Sequence, residues 1–188
     1  ATVHFPIWHQ EIRDIIVLKN NKGTEDNRVR KLDYSIQLSA LFYQRFIDNG
    51  KITLFSPHDV PNLYESFGTE SFDELYQTYE NDESIPKTSV SAQELILDLL
   101  KERAETGRLY IMNIDHCNSH SSFTDKVEMS NLCQEITLPT KPVQHIDDEH
   151  GEIALCILSA INIGKIRDVS DLETLCDLSV RSLDELID

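Results

Sequence analysis

Between Leu32 and Phe55 the hydrophobic period changes twice, and this narrows the possible folds more than any other stretch does. Leu32, Tyr34, Ile36 and Leu38 alternate with Asp33, Ser35 and Gln37, the two-residue period of a strand. Ser39 follows as an N-cap, Leu41, Phe42 and Phe46 keep helical spacing, and Gly50 is placed to close the helix in the left-handed conformation. Lys51 to Phe55 reads as the next strand. A strand feeding a helix feeding a strand is the repeating step of an α/β architecture, since each element must bury its apolar side against the other kind.

The remaining chain extends that alternation. Glu11 to Leu18 makes a short helical pattern, and Lys19 to Arg30 is a polar loop whose charge is expected to be solvated. Two short helices are predicted around Leu63–Phe67 and Phe72–Tyr79, divided by Pro57, Pro61 and Gly68, with their aromatics serving packing rather than recognition. Ser91 and Glu94 form a capping box that opens a longer helix to Thr106, with Leu95, Leu99 and Leu100 inward and Gly107 at its end. Arg108 to Asp115 reads as a strand. Ile153 to Ile163 reads as the clearest strand, with Ile153, Leu155, Ile157, Ile161 and Ile163 on a bulky face and Ala154, Cys156, Ala160 and Asn162 on a smaller one. Ser170 and Glu173 open a last helix whose Leu172, Leu175, Cys176, Leu183 and Leu186 share a stripe, making Cys176 a small core residue.

Composition excludes several classes. With 40% apolar and 27% charged residues over 188 positions the chain is globular and can build one core, without a second domain. A formal charge of −16 argues against a nucleic-acid surface, which needs clustered Lys and Arg to displace counterions. The apolar run 153–163 is too short, and too interrupted by Ser159 and Asn162, to span a bilayer, and no secretory leader is recognisable. Cys117, Cys133, Cys156 and Cys176 are too few and too irregular for a disulfide scaffold, which fits a cytoplasmic protein.

The chemistry concentrates in Met129 to Pro142, MSNLCQEITLPTKP. In an extended segment Asn131, Cys133 and Glu135 share one face while Leu132, Gln134 and Ile136 share the other. At about 3.3 Å per residue the first three span roughly 13 Å, a length that suits a sugar lying along them. A thiol can act as nucleophile or redox centre, a carboxylate can accept a proton from a hydroxyl, and an amide can orient a substrate by donating and accepting at once. On pattern alone, a half-buried strand with a small apolar cysteine and two solvated polar groups is the plainer account.

Other clusters carry weaker signals. His116, Cys117 and His120 offer a partial zinc set without the second half that structural sites show, so a strand end entering a loop explains them as well. Asp147, Asp148, Glu149 and Glu152 lack the alternating oxygen ligands of a calcium loop, and a solvated turn at Gly151 is expected. No metal site is assigned to the chain. Cys156 by itself reads as a buried strand cysteine.

SNLCQEITLPTKP followed by GEIALCILSAINIG resembles the large (alpha) chain of class I ribonucleotide reductases. HFPIWHQEI, LKNNKGTEDNRVRKLDYSIQL, ITLFSPHDVP and ERAETGRLYIMNIDHCNSH resemble the same family in the same order, so the likeness covers essentially the whole chain. A set of this kind is far more specific than a lone Asn-x-Cys-x-Glu. It implies that residues 1–188 are an internal fragment of a ten-stranded α/β barrel, with a finger loop near 116–150 carrying the catalytic cysteine between two strands.

The resemblance also implies roles. Cys133 would carry a transient thiyl radical that removes the 3′ hydrogen of a ribonucleoside diphosphate, Glu135 would accept the 3′ hydroxyl proton, and Asn131 would orient the sugar. Asn131, Leu132, Cys133, Gln134 and Glu135 would together line the substrate. Cys156 would be half of a redox-active dithiol whose partner lies outside the chain. The full enzyme would rely on the diiron-tyrosyl radical of a small (beta) subunit, on ATP and dNTP effectors, on thioredoxin or glutaredoxin, and on a large-subunit homodimer. The fragment alone is expected to be inactive. A cobalamin-dependent reductase shares Asn-x-Cys-x-Glu, but the HFPIWH and LPTKP contexts favour class I. A non-catalytic module binding metal through His116, Cys117 and His120 is the alternative of a different class.

Overall fold

A computed structural model of the chain describes residues 1–153 and 155–187, with Asn27 described by its backbone alone. It divides into two compact units, Ala1–Ala154 and Leu155–Asp188. Three strands of the first unit, β1 (Thr2–Pro6), β2 (Asp33–Leu38) and β5 (Leu109–Asn113), form a parallel sheet in the order β1-β2-β5. His4 stands beside Ser35 and Ser35 beside Tyr110. Between these strands lie α1 (Ile12–Ile16), α2 (Ala40–Ile47), α3 (Leu63–Ser66), α4 (Phe72–Asn81) and α5 (Ala92–Thr106), together with an antiparallel pair, β3 (Lys51–Leu54) and β4 (Thr88–Ser91). Parallel strands require such crossovers, and helices are the usual ones. The short helix α6 (Ile114–Ser119) follows β5 directly.

The central strand shows how the sequence pattern is used. Tyr34, Ile36 and Leu38 enter the apolar core, as the alternation requires. Ser35 and Gln37 on the other face are just as buried, at 0% and 1% exposure. Their face is therefore covered by something that takes hydrogen bonds, since buried polar groups are costly otherwise. On the helical side, Trp8, Phe42, Phe67, Phe72 and Tyr76 pack edge-on or tilted, with Phe67 and Phe72 centroids 4.6 Å apart. These aromatics serve packing, as expected.

Helix α5 has both ends that its sequence specifies. Ser91 Oγ accepts from Glu94 N, and Gly107 closes the helix at φ +66°. Leu95, Ile96 and Leu99 are buried, but Leu100 is turned out. It lies five positions from Leu95, about 140° around the helix, so it falls off the inward stripe.

Several expectations are corrected. Asn49 rather than Gly50 takes the left-handed position after α2, with φ +53°, which asparagine tolerates. Ser39 has the extended backbone of an N-cap but makes no capping bond; Asp115 Oδ2 accepts from Ala40 N at 2.7 Å instead. The loop after α1 is not wholly solvated. Lys19 is buried and donates to Leu32 O and Asp33 Oδ1, while Asn20 Nδ2 donates to both oxygens of the buried Glu102 on α5.

The second unit departs furthest from expectation. Residues 153–163 form no strand among those described, and Ala154 lies outside them. Ile153, Leu155, Leu158 and Ile163 are exposed. β-branched alternation specifies a strand only where a neighbouring strand takes up its backbone groups, and among the described residues no strand pairs with this segment; an isolated bridge joins Lys141 and Glu152 just before it. Helix α7 (Asp171–Asp184) forms as predicted but buries no residue, so Cys176 is exposed rather than core. Residues 160–167 of this unit border its stripe at Leu175 without burying it, and Ser179 Oγ bonds Ser159 Oγ at 2.8 Å. Ser170 Oγ bonds Asp168 Oδ1 instead of capping the helix. No described helix is long and apolar enough to cross a membrane.

Candidate active site

The cover over the polar face of the sheet is the segment 127–136, which carries the predicted cysteine. Its attachments come from alternate residues of two strands. From β1, Thr2 Oγ1 donates to Leu132 O at 2.5 Å, and His4 Nε2 accepts from Ser130 N at 3.3 Å. From β2, Ser35 Oγ donates to Gln134 Oε1 at 2.7 Å, and Gln37 Nε2 donates to Glu128 O at 2.5 Å. Period-two geometry puts all four side chains on one face of adjacent strands, which explains why Ser35 and Gln37 are buried without being apolar.

The segment is not extended at the cysteine. Gln134 N donates to Asn131 O at 3.1 Å, closing a turn over 131–134, and Gln134 has a left-handed φ of +64°. The alternation that would place Asn131, Cys133 and Glu135 on one face is therefore broken, because a turn reverses the chain where a strand would continue. Asn131 is buried and its Oδ1 accepts from Ile136 N at 3.0 Å and from Ser130 Oγ at 3.1 Å. Leu132, Cys133 and Glu135 are exposed. Gln134 Nε2 donates to Ile111 O at 2.7 Å, so its amide reaches both β2 and β5. The structure thus brings Asn131 to Glu135 together in one turn, with Asn131 and Gln134 holding it and Cys133 presented outward. Cys156 belongs to the second unit, where it is half-buried.

The surroundings supply electrostatics and space. Burial pushes the His4 imidazole below its ordinary value, which suits a neutral ring whose Nε2 accepts from Ser130. A cavity of about 430 Å³ adjoins the turn and is lined by Gln134, Thr137, His116, Cys117 and His120. Burial, with the Asp115 carboxylate, pushes the Cys117 thiol up, away from the reactive thiolate. A cavity of about 570 Å³ lies instead between Ser39, Gly68, Asp73 and Asp115, and none of residues 131–135 lines it.

The HCxxH cluster does not converge as a metal site. Among the described residues no three His, Cys, Asp or Glu side chains are grouped to hold an ion. His116 and His120 lie one helical turn apart with rings edge-on at 5.9 Å, and His120 Nδ1 is within 3.0 Å of His116 O.

A sheet-bound turn displaying a cysteine inside an Asn-x-Cys-x-Glu sequence is a narrow specification, and comparison with known proteins decides which family meets it. The sequence profile of the ribonucleotide reductase barrel domain matches residues 1–188. The chain belongs to the ribonucleotide reductase barrel-domain family. The ribonucleoside-diphosphate reductase subunit alpha of Haemophilus influenzae is 58% identical over 193 residues, covering all of this chain and 26% of that protein. The subunit alpha of Buchnera aphidicola from Schizaphis graminum is 55% identical, with 25% of its length covered. That of enterobacteria phage T4 is 42% identical over 196 residues. The chain spans about a quarter of the length of these relatives. In this reductase family member the parallel β1-β2-β5 sheet is a part of the barrel, which is not closed by the described residues.

Thr2, His4, Ser35 and Gln37 hold the cysteine-bearing segment and were not singled out as site residues from the sequence. The available signal was two strands with polar residues at every second position in otherwise apolar surroundings.

Proposed function

We propose that this chain is the cysteine-bearing part of a ribonucleoside-diphosphate reductase large subunit, converting ribonucleoside diphosphates to 2′-deoxyribonucleoside diphosphates. The observation that carries the reading is the exposed Cys133 at a turn anchored to neighbouring parallel strands, within a chain matched by the family along its whole length. A radical centre needs a fixed address, because hydrogen transfer requires near-contact of the reacting atoms.

In this reading Cys133 Sγ, as a thiyl, takes the 3′ hydrogen of the sugar and becomes a thiol, leaving the radical on the sugar. Glu135 accepts the 3′ hydroxyl proton, and Asn131 steadies the turn against the sugar. The 2′ hydroxyl leaves as water. Cys156 and a second cysteine outside the chain supply two electrons and two protons and become a disulfide. Cys133 then returns its hydrogen to C3′, and Glu135 returns its proton to O3′. The net balance is one ribonucleotide and one dithiol giving one deoxyribonucleotide, one water and one disulfide. Cys133 is exposed among the described residues, so the shielding that a thiyl needs from water must come from elsewhere in the assembly.

The same reading calls for a small (beta) subunit whose diiron-tyrosyl site generates the radical, for thioredoxin or glutaredoxin as reductant, for ATP and dNTP effectors, for a large-subunit homodimer and for a cytoplasmic location. The relatives' names as alpha subunits support the partnership with a beta subunit. The test is Cys133→Ser in the complete alpha polypeptide assayed with its small subunit. Product formation is lost while the circular dichroism spectrum is unchanged; retained turnover overturns the reading.

A further inference from the structure

Gln134 lies between the two residues assigned to the chemistry, and its geometry is unusual in two linked ways. Its backbone is left-handed, with φ +64°, a conformation that costs a glutamine energy and persists where its surroundings hold it. Its side chain meets a donor and an acceptor on different strands, accepting from Ser35 Oγ and donating to Ile111 O, each at 2.7 Å. Ser35 is fully buried on the central strand, so the anchor itself is rigid.

Only a side chain with an acceptor and a donor at the same end, at this reach, satisfies both anchors. Glutamate could accept from Ser35 but would set a carboxylate oxygen against the Ile111 carbonyl. Leucine satisfies neither. Glycine would ease the left-handed backbone and lose both bonds. The amide therefore holds the unfavourable backbone, and the backbone sets the directions in which Cys133 and Glu135 leave the turn.

We propose that Gln134 is a positioning residue for the reductase reaction, its amide pinned to two adjacent strands so that Cys133 Sγ meets the 3′ hydrogen of the sugar at the right distance and angle. This rests on the reading of Cys133 given above. Gln134 acts through its neighbours and not on the substrate.

The experiment compares Gln134→Leu, Gln134→Glu, Ser35→Ala and Cys133→Ser in the complete alpha polypeptide with its small subunit, using substrate with hydrogen or deuterium at C3′. A misplacement of about 1 Å lowers kcat on the order of 100-fold, so Gln134→Leu is expected to lose roughly 10- to 100-fold in kcat, with KM changed less than about three-fold. The isotope effect on turnover rises, because hydrogen transfer becomes limiting. Ser35→Ala shows the same signature to a smaller degree, and adding it to Gln134→Leu costs little more, since both remove one shared interaction. If Gln134→Leu does not fold, Ser35→Ala carries the same comparison. Unchanged kcat and isotope effect alongside an inactive Cys133→Ser overturn the positioning role and leave the reading of Cys133 standing. A fall in kcat with an unchanged isotope effect and a lowered Tm also overturns it, as a merely structural role. An active Cys133→Ser overturns both.

Discussion

Asn118 and Val127 exchange two hydrogen bonds across the base of the cysteine loop: Asn118 Nδ2 donates to Val127 O at 2.9 Å, and Val127 N donates to Asn118 Oδ1 at 2.8 Å. The side-chain amide thereby pairs with the backbone of the buried Val127 as a neighbouring strand would. The same Nδ2 donates to Ile114 O, and Gly68, at φ +89°, packs so closely that a Cβ there would stand 2.9 Å from it. Asn118→Ala takes these partners from the backbone of the buried Val127, at a cost of about 1–3 kcal/mol. Urea denaturation measures the loss, and faster hydrogen exchange at the Val127 amide localises it. Asn118→Asp keeps the acceptor but turns an anionic oxygen towards the carbonyls of Ile114 and Val127, so it should not rescue.

A second prediction concerns Tyr76, which is fully buried and whose hydroxyl accepts from Thr53 N at 2.8 Å and donates to Thr53 O at 2.7 Å. Burial pushes its phenol far above the ordinary value, so it stays protonated throughout the working range. Tyr76→Phe preserves the aromatic packing with Phe42 and Phe55 and removes only the bridge. The lost bonds leave two backbone groups of β3 unsatisfied and cost about 1–3 kcal/mol, read as a lower urea midpoint with an unchanged m-value.

A third prediction is a pH dependence with a definite sign. Burial lowers the pKa of His4, and of His9, below the ordinary 6.5. Between that lowered value and about 6.5 the unfolded chain binds more protons than the folded one, so stability rises with pH. It is lost on acidification through the same window. Protonated His4 can no longer accept from Ser130 N, so the loop loosens with it. The urea midpoint should fall between pH 7.5 and pH 5.5, and fall less in His4→Gln, whose side-chain oxygen keeps an acceptor without titrating. An equal fall in both proteins removes His4 from the account.

What was legible in the sequence was what is determined locally. Ser91, Glu94 and Gly107 fix both ends of α5 through contacts within one turn, and the alternation of Leu32 to Leu38 found β2 because a central strand buries its apolar face whatever surrounds it. The turn at Cys133 was not legible in the same way. It depends on Gln134 reaching Ser35, 99 positions earlier, and Ile111, 23 positions earlier, and no local pattern encodes those meetings. The residues Asn131, Cys133 and Glu135 were visible as a chemical set, while their period-two arrangement was an assumption that the left-handed Gln134 breaks. Likewise Ser35 and Gln37 read only as the face opposite the apolar one, since alternation tells the two sides of a strand apart but not what covers them.

The segment 153–163 tests that distinction directly. Its composition is that of a buried strand, yet among the described residues its backbone finds no ladder, and Leu155 and Leu158 are exposed. Backbone amides without a ladder open at almost no cost, whereas those of a core strand exchange only on wide opening. In this chain, amides of residues 155–162 should therefore exchange on the order of 1,000-fold faster than those of 34–38, measured by hydrogen exchange with mass spectrometry at neutral pH. Leu155→Thr should leave the unfolding free energy from urea titration within about 0.5 kcal/mol of the parent, as exposed substitutions do, whereas Ile36→Thr, in the core, should lower it sharply. Slow exchange in 155–162 would mean that the segment finds a backbone partner in solution, and the strand that its sequence specifies would then be formed.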